Sequence, residues 1–343
     1  MTDQQWDVLQ RVIKGETISP MPTGFVIDCP WLPNWYGKNI IDYFSNDEIF
    51  IDANLKAIND FPDTMFLPGF WSEFGMCTEP SAFGARCSFP QNEFPHAFKC
   101  INTGDDIDSL HQPNPKTDGM LPFMLNRLKL AQPKIEAAGH KIRFSVSRGP
   151  LNIASYLMGT TELLTMMMMQ PEKIHVLVKK ITQFLKDWHD LQRETFPTIG
   201  GIFMLDDIIG FLGEPEFREF GLPYFKELYS TDVSVKFLHN DAPCRVSSPL
   251  LPEMGVNFFN MGFDVHLNEL KEMTQNKVAM LGNIPPRDVL AAGTPEDVAK
   301  TTKELLESLK DKSGIIMSCG GGMPPGVSTE NIKAFIDAVK SNS

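Results

Sequence analysis

Lys277 to Lys300 reads KVAMLGNIPPRDVLAAGTPEDVAK, and its punctuation decides how the chain should fold. An apolar run, Val278–Leu281, is cut by Gly282-Asn283 and then by Pro285-Pro286, which cannot extend a strand ladder. Thr294 then opens a strongly amphipathic segment to Lys310, with Pro295 in the first turn, where its missing N–H is not needed. A short apolar strand, a polar turn and an amphipathic helix make one unit of a parallel α/β fold.

The unit repeats along the chain. Apolar, strand-like runs centre near residues 25, 66, 144, 203, 236, 258, 279 and 316. Helical patterns fall over 46–60, 121–138, 151–170, 172–195, 215–228, 249–254, 267–274, 294–310 and 329–339. Eight strands separated by helices predict a (β/α)₈ TIM barrel, whose site lies at the C-terminal ends of the strands. Polar residues collect at those positions: Asp28, Glu73, Arg148, Asp206, Asp207, His239, Asp241, Asp264, Asn283 and the run Gly320–Gly322. A doubly wound sheet would want a glycine fingerprint after an early strand, and none is there. Residues 1–343 therefore read as a single barrel domain, with an N-terminal helical and loop extension over 1–20. An irregular segment over 85–120, rich in Pro, Asn and Asp, has the length of a lid or binding loop.

Composition narrows the function classes. The formal net charge of −12 argues against nucleic-acid and anionic-membrane partners, which require a basic face. No apolar run approaches the roughly 20 residues that span a bilayer, and the first residues, MTDQQWDVLQRVIKGE, start an amphipathic helix and not a signal peptide. A cytoplasmic location is expected. The six cysteines (29, 77, 87, 100, 244 and 319) show no CxxC spacing and read as reduced thiols. A second copy of the chain stays open as a partner.

The second strand runs into the densest aromatic stretch, TMFLPGFWSEFGMCTEPSAFG, Thr64 to Gly84. Glu73 stands there among Phe70, Trp71, Phe74 and Met76. A carboxylate in such company must be paired, bound to a cation or protonated if it is buried. Two readings follow: Glu73 marks the mouth of a pocket for an apolar, aromatic substrate, or the loop faces the core and leaves one solvated Glu. For His239 the readings are a functional group behind a barrel strand or a core histidine bonded to a carboxylate. Asp206-Asp207 read as a helix cap and a salt-bridge partner, with Asp207 facing inward, and Asp264 and His266 as caps of the next helix.

Several strand ends resemble the uroporphyrinogen decarboxylase superfamily. Lys277–Lys300 is similar to its strand, Gly-Asn-(Ile/Met)-(Asp/Pro)-Pro turn and following helix. SCGGGMPPGVSTENIKAFIDAV is similar to its closing glycine loop and helix start, and Arg148-Gly149-Pro150 with Leu151 and Ala154 to its Gly-Pro-(Phe)-Thr segment. The resemblance spans roughly 55–340. It places Trp71-Ser72-Glu73 where the decarboxylase keeps the Phe-Ser-Asp triplet with its reacting carboxylate, and Gly321 where the glycine loop carries a His. The decarboxylase's Arg-rich N-terminal motif is replaced by CPWLPNWYG, which argues against a four-carboxylate substrate.

The other branch of the resemblance comprises methyltransferases that use a corrinoid on a separate protein. Those acting on coenzyme M bind zinc through a His-x-Cys and a loop Cys; here the first motif reads His239-Asn240-Asp241 and the loop position Gly321, with Cys319 two residues earlier. The resemblance to the methyltransferase components of O-demethylase systems implies transfer of a methyl group from a methoxylated aromatic to the cob(I)alamin of a small corrinoid protein. A methylcorrinoid-to-thiol transferase and a decarboxylase-like lyase stay as alternatives. In the preferred reading Glu73, Asp207 and His239 hold a proton or a zinc ion at the ether oxygen, with His239, Glu73, Asp241 and Cys319 as candidate ligands. Trp31, Trp35, Phe70 and Trp71 stack on the ring, and Arg148, Asn283 and Gly321 complete the substrate site. Asp264-Val-His266-Leu-Asn-Glu269 lacks the Gly of the corrinoid motif Asp-x-His-x-x-Gly, so stable corrinoid binding by this chain alone is not expected.

Overall fold

The computed structural model describes residues 1–27 and 30–342; Asp28, expected behind the first strand, lies outside them, as do Cys29 and Ser343. All eight expected strands are present and parallel: β1 (Thr23–Val26), β2 (Thr64–Leu67), β3 (Phe144–Arg148), β4 (Gly201–Leu205), β5 (Val235–Asn240), β6 (Phe258–Met261), β7 (Ala279–Ile284) and β8 (Ile315–Cys319). They neighbour one another in the order β2-β1-β8-β7-β6-β5-β4-β3, the curl of a (β/α)₈ barrel. Register is set by rows such as Leu205 beside His239 and His239 beside Asn260.

Alternation along each strand sends one set of side chains inward. Phe144, Phe203, Phe237 and Phe258 fill the barrel with Val26, Leu67, Val146, Leu205, Leu281 and Ile316. Phe237 lies between Phe203 (ring centroids 4.3 Å apart) and Phe258 (4.4 Å). The N-terminal helix, Asp3–Ile13, closes the floor: Trp6, Leu9 and Val12 join this inner core, and Trp6 meets Phe144 edge-on at 5.5 Å. The expected extension is thus a plug, because a helix with one apolar stripe must bury it somewhere. The other strand faces pack on the surrounding helices, none of which, among the described residues, is long and apolar enough to cross a membrane.

The barrel has a seam. Among the described residues β2 and β3 form no ladder, so β3 would present unpaired backbone groups on that side. Side chains satisfy them instead. Val146 N donates to Gln192 Oε1 at 2.9 Å and Gln192 Nε2 donates to Val146 O at 3.1 Å, so one carboxamide does the work of a strand residue. Arg148 N donates to Glu79 Oε1 at 3.0 Å. On the outer face of β3, Ser145 and Ser147 hold both ring nitrogens of His189 at 2.9 Å, and burial pushes that imidazole down to about 3, so it stays neutral.

Two sequence expectations need correction. The helix expected over 151–170 is two, Pro150–Met158 and Thr160–Met169, because Gly159 takes φ +96, a left-handed conformation that ends the first. The 85–120 segment, expected as a lid, is fastened to the barrel flank. It carries a two-stranded ribbon (Cys87–Ser88 with His96–Ala97) and the helix Gly104–Ser109. Lys180 Nζ holds Ile107 O and Leu110 O, and Ile101 N donates to Leu157 O.

Gln192→Leu keeps the side-chain volume at the seam and orphans two buried backbone groups. At about 1–3 kcal/mol per orphan, the variant is expected to lose on the order of 2–4 kcal/mol of stability, read from urea unfolding.

Candidate active site

The strand ends place a row of polar groups across the mouth of the barrel. His239, the inward residue near the end of β5, is 5% exposed. Its Nδ1 lies 2.6 Å from Asn260 Oδ1, and Asn260 Nδ2 donates to Leu281 O at 2.8 Å. That second bond fixes the carboxamide, so Oδ1 must accept and His239 Nδ1 must carry a proton. His239 Nε2 faces Asp241 Oδ1 at 3.5 Å. Burial alone would pull the imidazole down, but the Asp241 and Asp207 carboxylates and the Asn260 bond hold it up at about 9. His239 is therefore an imidazolium near neutral pH.

Asp206 and Asp207 divide as alternation requires. Asp206 turns outward and accepts from Leu151 N, Asn152 N and Ile208 N at 2.9–3.1 Å, capping the helix that follows β3. Burial still pushes it up to about 8. A Cβ on Gly149 would collide with its carboxylate, which explains the glycine after Arg148. Asp207 turns inward, where its Oδ1 accepts from Asp241 N at 2.7 Å. Tyr156, on the helix Pro150–Met158, brings a phenol within electrostatic reach of Arg148 and Asp207.

Arg148 closes the far side of the row. Its guanidinium donates to Glu73 Oε2 at 2.8 Å and lies 5.2 Å from the Trp71 ring centroid. Glu73 and Arg148 are 3% and 5% exposed, so this is a buried pair. Burial alone would lower the Arg148 pKa, but Glu73 and Glu79 raise it above its ordinary value, while burial pushes Glu79 up. Three buried atoms here have no partner among the described residues: Ser72 Oγ, Glu73 Oε1 and Glu79 Oε2. Glu79 and Tyr156 were not singled out from sequence, where Tyr156 reads as one more residue of the helical pattern over 151–170.

Beside the row opens a cavity of about 420 Å³, lined in part by Asp241, Phe263, Arg287, Gly320, Gly322 and Pro324. None of its lining residues comes from 85–120. Gly321 has φ +72, and a Cβ there would occupy the place of the Asp241 carboxylate. Asn283 Nδ2 donates to Val265 O at 2.8 Å and so anchors the loop after β6.

Other expected site residues lie elsewhere. Trp31 is 1% exposed, donates Nε1–H to Val327 O at 3.1 Å and stacks on Trp35 at 5.0 Å; Trp35 Nε1 donates to Thr329 Oγ1. Phe70 packs in the outer core with its ring edge-on to His140 at 6.0 Å. Trp71 alone of the four rings joins the barrel interior. Cys319 is corrected too: Ser318 takes the inward position of β8, so Cys319 faces the helices, and burial pushes its thiol up to about 12. The expected zinc ligands do not converge, because Glu73 is committed to Arg148 and Cys319 points away. Among the described residues no cluster of three or more His, Cys, Asp or Glu is arranged to hold a metal ion. His266 caps its own helix, accepting from Asn268 N at 3.1 Å, as the sequence reading expected.

The family model described as Uroporphyrinogen decarboxylase (URO-D) matches residues 7–342. The chain belongs to the uroporphyrinogen decarboxylase family. Relatives from this family include the uroporphyrinogen decarboxylases of Hahella chejuensis, 26% identical over 88% of this chain and 85% of the relative, and Alcanivorax borkumensis, 23% identical over 98% and 97%. Among solved structures, a methyltransferase from Methanosarcina mazei superposes with TM-score 0.80 at 18% identity, covering 97% of each chain. A B12-independent methionine synthase from Shewanella sp. W3-18-1 gives TM-score 0.56 at 11% identity, over 94% of this chain and 96% of that one. At such identities the likenesses show a shared fold, and this member of the uroporphyrinogen decarboxylase family must be read from its own site.

His239 gives the first test. Its folded pKa, about 9, lies above the ordinary 6.5, so its contribution to stability is full below about pH 6.5 and lost as pH rises through about 9. NMR of the imidazole is expected to titrate near 9, and Asp241→Asn to lower that midpoint by at least one unit, roughly the worth of a close opposite charge. A wild-type midpoint near 6.5 would contradict the assigned charge state.

Proposed function

We propose that this chain transfers a methyl group from a methoxylated aromatic to the cob(I)alamin of a separate corrinoid protein. The observation that carries this reading is His239: a buried imidazolium, fixed in orientation by Asn260, with Nε2 turned toward Asp241 at the barrel mouth. Ether demethylation is slow chiefly because a phenolate leaves poorly, so catalysis needs a proton or a Lewis acid on the ether oxygen as the methyl–oxygen bond breaks, and His239 offers the proton. His239 supplies that proton from Nε2, while the Asn260 bond retains the proton on Nδ1. Asp207 and Asp241 favour its recharging from solvent. The corrinoid, a co-substrate on its own protein, supplies the nucleophile.

The partner has a surface to meet. Phe211, Val246 and Phe263 follow β4, β5 and β6 at the mouth and are 58%, 37% and 53% exposed. Trp71 and Arg148 lie together at the far end of the polar row, with Glu73 holding the guanidinium in place. Since Trp31, Trp35 and Phe70 are spent on packing, the aromatic ring of the substrate would be held chiefly by Phe263, Pro286, Met323 and the glycine loop.

The names of the relatives favour a second reading, decarboxylation of uroporphyrinogen. Against it, among the described residues the cavity lining offers one guanidinium, Arg287, beside two carboxylates, Asp241 and Asp288, a poor complement for several substrate carboxylates. A panel of methoxybenzenes with free cob(I)alamin, with and without zinc, separates the readings when run beside uroporphyrinogen. Loss of Co(I) absorbance with release of a phenol is expected for at least one ether, and His239→Ala should slow it by about 10²–10⁴-fold. No transfer from any ether, or carbon dioxide release from uroporphyrinogen, would overturn the proposal.

A further inference from the structure

Ten positions separate Cys77 from Cys87, a spacing with no motif value, yet the fold brings the two thiols together. Cys77 is fully buried just before the helix Thr78–Ala82, and Cys87 is half-buried on the ribbon it forms with Ala97. Cys87 Sγ approaches Cys77 O at 3.9 Å and Ala85 O at 3.6 Å, and each thiol acts on the protonation of the other. Among the described residues, Cys100, Cys244 and Cys319 have no thiol among the groups that act on them.

We propose that Cys77 and Cys87 form a reversible dithiol–disulfide site, with Cys87 as the attacking sulfur, Cys77 as the resolving sulfur and an external disulfide as the oxidant. The Cys87 thiolate attacks one sulfur of the external disulfide, forming a mixed disulfide and expelling one thiolate. Cys77, after losing its proton to solvent, attacks Cys87 Sγ and expels the second. Two protein thiols are oxidised and one external disulfide is reduced to two thiols.

The environment suits these roles in order. Cys87 is the more accessible sulfur, and the neighbouring Cys77 thiol lowers its pKa. Cys77 is held high first by Cys87 and then by burial. Once Cys87 is a neutral disulfide sulfur the first cause is gone, and Arg148 nearby favours the Cys77 thiolate. The crosslink would tie the ribbon to the segment bearing Glu73 and Glu79, both of which bond to Arg148.

The test is incubation of the native full chain with oxidised glutathione, acid quenching and peptide mapping. A Cys77–Cys87 linked peptide, a mass lower by two hydrogens and reversal by dithiothreitol are expected. Cys77→Ser should stop at a stable glutathione adduct on Cys87, and Cys87→Ser should cut glutathione incorporation at these positions by about tenfold, the buried thiol being poorly accessible. Far- and near-UV circular dichroism of each variant checks that it is folded. A wild-type chain that keeps glutathione on Cys87, pairs Cys87 with Cys29 or Cys100, or crosslinks only in denaturant overturns the proposal.

Discussion

A buried arginine held by two carboxylates, one on its guanidinium and one on its backbone N–H, is the constraint on which both the barrel and its site depend. Arg148 comes from β3, Glu73 from the exit of β2, and Glu79 from the short helix behind it. Taking any of the three ions out of water costs several kcal/mol, repaid only while all the partners stay in place. The cluster stands where a ladder between β2 and β3 would otherwise be, and Gln192 holds the strand edge below it. The seam is therefore polar at its upper end and stiff, and Trp71 lies against the guanidinium and against Phe203. A site wall made this way cannot relax without opening the barrel.

Opposite that wall the chemistry rests on another chain of hydrogen bonds. The Leu281 carbonyl orients Asn260, Asn260 orients His239, and His239 faces the carboxylate of Asp241. Each link fixes a donor or acceptor that the next one needs. The proton on Nδ1 is thus dictated by a backbone atom of a neighbouring strand, two side chains away from where substrate would bind.

The eight strands were legible because an apolar run, a polar exit and an amphipathic helix recur, and packing rewards that pattern at every repeat. Alternation within a strand also told Asp206 from Asp207. It failed where the exit is aromatic: Trp31, Trp35 and Phe70 advertise a pocket by composition, but composition does not say on which side of the sheet a ring lies. Trp31 turned outward, where its indole N–H meets Val327 O and its ring stacks on Trp35. Cys319 shows the sensitivity to parity, since one residue separates it from inward-facing Ser318. Glu79, Tyr156 and Gln192 were hidden for another reason: their roles lie in what they meet across the seam, and local sequence carries no trace of that.

Gly321 and Asp241 share one volume: a side chain at 321 would stand where the carboxylate at 241 now lies. The two positions are therefore coupled in heredity as well as in space. A lineage that gains a side chain on the glycine loop must first shorten or redirect residue 241, and one that keeps an acid at 241 is confined to glycine opposite it. Exchange between loop-borne and strand-borne chemistry at this mouth has a fixed order, because the intermediate that gains a loop side chain while the acid at 241 stays in place is barred by simple exclusion.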